Sequence, residues 1–267
     1  MRTVKIQGGL GNQLFGLAFA HSIQTLTGET VGIDVAAYRA DRYGNRFVFP
    51  DLADRLGGLS TRHRPVLASR IVTAVAQLTP LPGFVSEGAP PKTVEAMARL
   101  AAQTGYFSGY WQDEAFIAAP EVFRAAARAD LLARGGETSA HTVAIHYRTY
   151  REERHADRRA TPDAGYFRRC IATLKARGVE PDHIVLISDD PQLALQRIGD
   201  IGAAILVPPR QGAWSDMALL LRARHLILSN SSFSWWGGFC GDAGTVFYPA
   251  RDALFHYPQP AARFETL

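Results

Sequence analysis

Thr3-Val4-Lys5-Ile6-Gln7-Gly8-Gly9-Leu10-Gly11-Asn12-Gln13-Leu14-Phe15 sets the fold class near the start of the chain. Its β-branched opening reads as a strand, Val4 to Gln7, that runs into a glycine-rich turn. Beyond the turn, Leu14, Leu17, Ala18, Phe19 and Ile23 recur at helical spacing, so a helix follows with an apolar side to bury. A further strand over Val31 to Asp34 completes a β-α-β unit, and a parallel α/β architecture is expected. At such a turn, main-chain N–H groups and the helix dipole favour an anion. Gly9 and Gly11 allow close approach of a ligand, and Asn12 and Gln13 bring side-chain amides. The turn is not a dinucleotide fingerprint, because Gly-x-Gly-x-x-Gly from Gly9 requires glycine at position 14 and meets Leu14. A turn that is merely tight explains these glycines about as well.

Outward from this unit, short β-branched runs alternate with longer helical patterns. Between Ala36 and Pro91 the pattern is weak, broken by prolines at 50, 65, 80, 82, 90 and 91. Helices are expected at Val66 to Leu78, Val94 to Ala102 and Ala118 to Arg134. Gly135-Gly136 is a natural stop and a domain boundary, giving an N-terminal domain over 1–136 and a C-terminal one over 137–267. In the latter, strands fit Thr142 to Tyr147, Ile184 to Ser188, Ala204 to Val207, Leu226 to Leu228 and Val246 to Tyr248. Helices fit Asp163 to Arg177, Pro191 to Ile198, Ser215 to Arg224 and Ser234 to Cys240. Two Rossmann-like halves facing a cleft is the preferred arrangement, with a single larger doubly wound sheet as the alternative.

With 267 residues, 47% of them hydrophobic and 20% charged, the chain has the composition of a soluble globular protein. Cys170 and Cys240 form no metal-binding spacing and read as reduced core thiols. No secretory signal opens the sequence and no apolar run reaches the ~18 residues of a membrane span, so a cytoplasmic enzyme is expected. The apolar stretch from Arg64 to Leu78, with basic flanks, is a candidate for peripheral membrane contact, although an ordinary buried helix accounts for it more simply. The net charge of +4 selects no partner by itself. The arginines gather in one strand-end loop rather than a broad stripe, which argues against nucleic acid.

Three further segments can carry chemistry. His146-Tyr147-Arg148-Thr149-Tyr150-Arg151-Glu152-Glu153-Arg154-His155-Ala156-Asp157-Arg158-Arg159 follows a strand and holds five arginines against three acids. Ligands of open α/β sheets bind at that end of a strand, where an arginine grips a pyrophosphate with paired hydrogen bonds. Arg148 is best placed, while Arg158 and Arg159 fit a solvated loop. Ser188-Asp189-Asp190-Pro191 stands at another strand end. It either caps the helix it opens or offers a carboxylate to the adjacent N1–H and 2-amino donors of guanine. Ser229-Asn230-Ser231-Ser232-Phe233-Ser234-Trp235-Trp236-Gly237-Gly238 joins hydroxyls and an amide to a helix start, a phosphate site by the same physics. Its tryptophans read as core anchors.

In this order the segments resemble the α-1,2-fucosyltransferases of glycosyltransferase family eleven. Gly9 to Phe15 match the family's opening motif, Gly109-Tyr110-Trp111-Gln112 its Gly-Tyr-Trp-Gln stretch, Ser188 to Asp190 its Ser-Asp-Asp element, and Ser229 to Gly237 its most specific motif. The family's His-x-Arg-Arg-x-Asp is met by His146 and Arg148, but Thr149 stands at the second arginine and Arg151 at the aspartate, with Glu153 and Asp157 as neighbouring carboxylates. The resemblance implies a GT-B fold and metal-independent, inverting transfer from GDP-fucose to a hydroxyl of an oligosaccharide or lipid-linked glycan. It implies Arg148 on the β-phosphate and His146 orienting the nucleotide. Gly9, Gly11, Asn12 and Gln13 would lie on the pyrophosphate or sugar, Asp189 and Asp190 on guanine, and Asn230, Ser231, Ser232 and Phe233 along the donor. The general base stays open among Glu153, His155 and Asp34. Other readings are a transferase for another GDP-sugar, a nucleotide-dependent dehydrogenase, and an inactive GDP- or glycan-binding module.

Overall fold

The computed structural model describes residues 2–41, 43–62, 83–86, 93–102, 105–136, 141–150, 161–209, 211–250 and 258–267. The chain divides into two compact units, Met1–Asp130 and Leu131–Leu267. The division falls inside the helix Pro120–Gly135, a few residues before the Gly135-Gly136 stop. The apolar stretch Arg64 to Leu78 and the segment carrying Arg151, Glu153, His155, Asp157, Arg158 and Arg159 lie outside the described residues.

The first unit is built on five parallel strands: β1 (Thr3–Lys5), β2 (Gly32–Asp34), β3 (Ser60–Arg62), β4 (Phe84–Ser86) and β5 (Tyr106–Ser108). Their order is β3-β2-β1-β5-β4. The glycine turn leads from β1 into helix α1 (Leu10–Thr27), and Leu14, Leu17, Ala18, Phe19 and Ile23 are all buried as the periodicity requires. Gly16, rather than a glycine at 14, gives the close helix-to-strand approach: a Cβ there would stand 2.7 Å from Ile6 Cδ1. The helix ends at Gly28, whose left-handed φ of 68° lets its N–H reach the Gln24 carbonyl. β3, β4 and β5 are strands that the sequence pattern does not announce. Each is three residues long, as β1 and β2 are, but none has a glycine turn and an apolar helical pattern beside it to mark it, and all are held by neighbours in the sheet.

The second unit has six parallel strands: β6 (His141–Tyr147), β7 (Ile184–Ser188), β8 (Ile205–Leu206), β9 (Ala223–Leu228), β10 (Thr245–Tyr248) and β11 (Glu265–Thr266). Their order, β11-β10-β9-β6-β7-β8, is the Rossmann order. The chain winds outward from β6 through β7 and β8, then returns to wind the other way from β9, so the direction reverses between β6 and β9. Tyr166, Phe167, Cys170, Ile171 and Leu174 of the helix Ala164–Ala176 share one core with Val143, Ile145 and Tyr147 of β6. The helix Ala213–Arg222 packs against β6 and against the helix Ser232–Cys240. This second helix starts two residues before the expected Ser234 because Ser231 caps it, accepting from the Phe233 N–H at 3.3 Å.

The glycine pair explains how that capped helix lies so close to its surroundings. A Cβ on Gly237 would stand 2.7 Å from Leu220 Cβ, and one on Gly238 would stand 2.9 Å from Val246 Cγ1 and 3.0 Å from Leu228 Cδ1. Gly237 thus admits a neighbouring helix, and Gly238 admits the sheet. Trp235 and Trp236 are fully buried, as anchors of the core; Trp235 stacks on Phe239 at 4.8 Å and donates its indole N–H to the Gln259 carbonyl at 2.7 Å. At the other end, Arg263 donates to the carbonyls of Phe239, Gly241 and Ala243, satisfying groups that a helix C-terminus leaves open. Gly237→Ala gains about 1 kcal/mol of helix propensity but forces Leu220 aside in a filled core. A net loss of about 1–3 kcal/mol is expected in urea denaturation. An unchanged midpoint would show room between these helices.

Candidate active site

In the second unit the reversal point is stitched by one hydroxyl. Ser229 follows β9, and its backbone N–H donates to the His146 carbonyl at 2.9 Å. Its Oγ accepts the Arg148 N–H at 2.9 Å and lies 3.3 Å from His146 Nδ1. Burial, followed by the positive charge of Arg148 and opposed by Asp189, pulls the His146 pKa down to about 3, so the imidazole is neutral at physiological pH. The neutral ring and the Ser229 hydroxyl share the Nδ1···Oγ contact. The His146 ring also lies 5.5 Å from that of Phe233.

Arg148 is held by what surrounds it. Its guanidinium stands 3.2 Å from Asp189 Oδ2 and 5.6 Å from the centroid of the Tyr150 ring. Asp189 in turn accepts from the Thr149 N–H at 2.8 Å and the Thr149 hydroxyl at 2.9 Å. Threonine, standing where the resemblance expects a second arginine, therefore fixes a carboxylate instead of adding a cation. Asp190 accepts from the Leu193 N–H at 3.1 Å and caps the helix Pro191–Ile198. Of the two readings of that aspartate, the cap is the one the geometry displays. Tyr150 is 7% exposed, donates its hydroxyl to the Asn230 carbonyl, and has φ of 56°. A bulky residue seldom adopts that left-handed conformation, which costs on the order of 1–3 kcal/mol.

The carboxyl edge of the first sheet is organised similarly. Gly8, at φ 80°, turns the chain after β1, and a Cβ there would stand 2.6 Å from Asn12 Nδ2. Gln112 donates to Asn12 Oδ1 at 2.7 Å, which fixes the amide and leaves its NH2 group engaged by no acceptor among the described residues. Gly9 begins the helix without a side-chain cap. Gln13 turns inward instead: it is 2% exposed, donates to the Arg46 carbonyl and accepts from the Val48 N–H. Its amide pins the 46–48 segment beneath the turn, so it holds the turn rather than reaching a ligand. Asp34, a candidate base by residue type, is fully buried and accepts from Tyr106 Oη at 2.8 Å and the Ala36 N–H, which withdraws it from acceptor chemistry.

Trp111, in the Gly-Tyr-Trp-Gln segment, has φ of 54° and stacks on Phe19 at 4.0 Å, with Phe116 edge-on. It anchors the segment that delivers Gln112 to Asn12. Sequence reasoning did not single out Ser229, Tyr150 or Gln112 for roles. Ser229 and Gln112 lie inside the segments Ser229–Gly237 and Gly109–Gln112, whose composition carries a signal. Tyr150 carries no signal, since a left-handed tyrosine has no sequence signature.

In the second unit His146, Arg148, Asp189, Asn230, Ser231, Ser232 and Phe233 gather at the carboxyl edge of the sheet; in the first unit Gly9, Gly11 and Asn12 stand at the carboxyl edge of its own sheet. No group of three or more His, Cys, Asp or Glu side chains among the described residues is arranged to hold a metal ion. No curated protein matches the chain. Among solved structures it is similar to the fucosyltransferase NodZ from Bradyrhizobium, at 18% identity over 90% of this chain and 92% of that one, with a TM-score of 0.47. It is also similar to a variant of Arabidopsis thaliana FUT1 in complex with GDP (14%, 95% and 71%, 0.47) and to E. coli heptosyltransferase WaaC with ADP (15%, 93% and 87%, 0.44). The model of the family Glycosyl transferase family 11 matches residues 90–263. That span, well over half the chain, takes in Gly109 to Gln112 and the ends of β6, β7 and β9. The chain belongs to glycosyl transferase family 11 and is a glycosyltransferase.

Proposed function

We propose that this enzyme moves L-fucose from GDP-β-L-fucose, with inversion, to a glycan hydroxyl, O2 of a galactose in a cell-surface glycan precursor. The donor and linkage rest on the motif resemblance, and the site assignment rests on one observation: Arg148 is held at the reversal point between β6 and β9 by Ser229, Asp189 and Tyr150. The acceptor is an oligosaccharide or lipid-linked glycan, which suits a cytoplasmic enzyme at the inner membrane face. Among the described residues no helix is long and apolar enough to cross a membrane.

As the glycosidic bond breaks, negative charge gathers on the β-phosphate. Donors arranged beforehand stabilise it without reorganisation. Arg148 supplies the cation, and the first turn of the helix Ser232–Cys240 supplies N–H groups and a dipole. Asn230, Ser231, Ser232 and Phe233 line that approach. Gly9, Gly11 and Asn12 add donors for the diphosphate or the sugar. The reading requires no divalent ion, so transfer is expected to proceed at an unchanged rate in chelator. Neutral His146 orients the nucleotide. Asp189 has its Thr149 contacts fixed, whereas its Arg148 partner is about one-third exposed. When Arg148 turns to a diphosphate, Oδ2 regains a lone pair for guanine.

Arg148→Ala is expected to weaken GDP binding in calorimetry and to remove roughly 2–4 kcal/mol of transition-state stabilisation; wild-type turnover would take Arg148 out of the site. Asp189→Ala is expected to lower affinity for GDP more than for UDP. Equal loss for both nucleotides would assign Asp189 to Arg148 alone. For His146 the expectation concerns pH. Below about 6.5 the unfolded chain takes up a proton that the folded ring refuses until about pH 3. Stability therefore falls as pH drops through that window, by up to about 1.4 kcal/mol per unit from this group. Urea denaturation at pH 7 and pH 5 should show a shallower loss in His146→Asn; parallel slopes would place the titration elsewhere.

A further inference from the structure

The segment after β6 holds a left-handed tyrosine that the family pattern does not ask for. Glycine adopts φ of 56° without penalty, yet position 150 carries a large ring, 7% exposed, with its hydroxyl tied to the Asn230 carbonyl. The ring's distinguishing contact is the Arg148 guanidinium, whose carbon stands 5.6 Å from the ring centroid, within cation–π range. The same guanidinium meets Asp189 through NH1 at 3.2 Å. One contact holds the N–H edge and the other bears on the cation through the ring. Thr149, between the two, is locked from three directions: its N–H and hydroxyl on Asp189, and its carbonyl accepting from Arg197 at 3.3 Å. Because the hydroxyl of Tyr150 is moored to the β9 side and the ring abuts the arginine of the β6 side, the side chain spans the reversal point.

We propose that Tyr150 is a positioning residue for Arg148: a tethered aromatic floor that keeps the cation aimed at the diphosphate and remains beneath it when Arg148 leaves Asp189 for the phosphate. The proposal rests on the assignment of Arg148 to the donor diphosphate. In this chain, Thr149 contributes no second charge at the strand end, so the aim of Arg148 matters more to binding.

The test is a double-mutant cycle with GDP as the calorimetric probe, in wild-type and Arg148→Ala backgrounds, alongside steady-state transfer from GDP-fucose. Tyr150→Leu is expected to weaken GDP binding roughly tenfold and to lower kcat, with KM for the acceptor within about twofold. In the Arg148→Ala background the same change is expected to cost less than about twofold, because the group it acts through is gone. Tyr150→Phe, which keeps the ring, should retain affinity within about threefold of wild type. Tyr150→Gly suits the positive φ and so keeps the test open if the leucine variant fails to fold; it should lose GDP affinity like leucine. Wild-type GDP affinity in Tyr150→Gly, or equal losses in both backgrounds, would overturn the proposal and leave Tyr150 a packing residue. If Arg148→Ala alone left GDP binding intact, the donor-site assignment itself would fail, a different result from either of these.

Discussion

One hydroxyl holds the second unit's functional edge together. The Ser229 hydroxyl receives the Arg148 N–H and lies against His146 Nδ1, while its backbone N–H extends the β6–β9 pairing one residue past the strand. In a doubly wound sheet the two strands at the reversal diverge into separate loops, and the gap between those loops is where ligands sit. A gap is useful only if its walls stay put. Here the walls are joined by hydrogen bonds at the root, so the residues just beyond, Arg148 on one side and Asn230 to Phe233 on the other, begin from fixed positions. The cost of a neutral, buried imidazole is offset by that bonding, and the ring in turn cannot compete with Arg148 for a negative ligand by taking up charge.

Within each unit, polar groups are spent in a hierarchy. Those facing inward satisfy the backbone: Gln13 holds the 46–48 segment, Asp190 and Ser231 cap helices, and Arg263 closes a helix end. Those at the rim hold one another: Asp189 holds Thr149 and Arg148, and Gln112 holds Asn12. The result is electrostatic preorganisation, in which donors are aimed before a ligand arrives rather than recruited by it.

Much of this was legible in the residues. The doubly wound half from 141 onward was readable because its core strands, such as Ile184–Ser188, are continuous apolar runs set off by turn residues, and its helices are amphipathic or capped. The first unit was half legible. Its opening β-α-β stands out through the glycine turn and the helix that follows, but β3, β4 and β5 lie in or beyond the proline-broken stretch, and their strand character is imposed by pairing in the sheet rather than by alternation. Individual residues of the site were legible as types and not as roles. Asp190 reads in sequence as either a helix cap or a ligand contact, and Gln13 as a ligand contact; only the course of the chain reveals that backbone groups claim both. Asp34 looks available as a base until the Tyr106 hydroxyl is seen closing over it. Tyr150 stayed invisible because its meaning lies in a dihedral angle.

Trp111 and Tyr150 each stand three positions beyond a central strand, β5 and β6, and both hold left-handed backbones despite bulky rings. For protein engineering this closes a familiar route. Replacing a strained side chain by glycine is a standard way to relax a backbone, and automated redesign for thermal tolerance would be drawn to both sites. Each ring, however, holds neighbouring polar groups at its sheet's rim, Gln112 beyond Trp111 and Arg148 beside Tyr150, so a sturdier variant made that way would loosen the segments those rings hold.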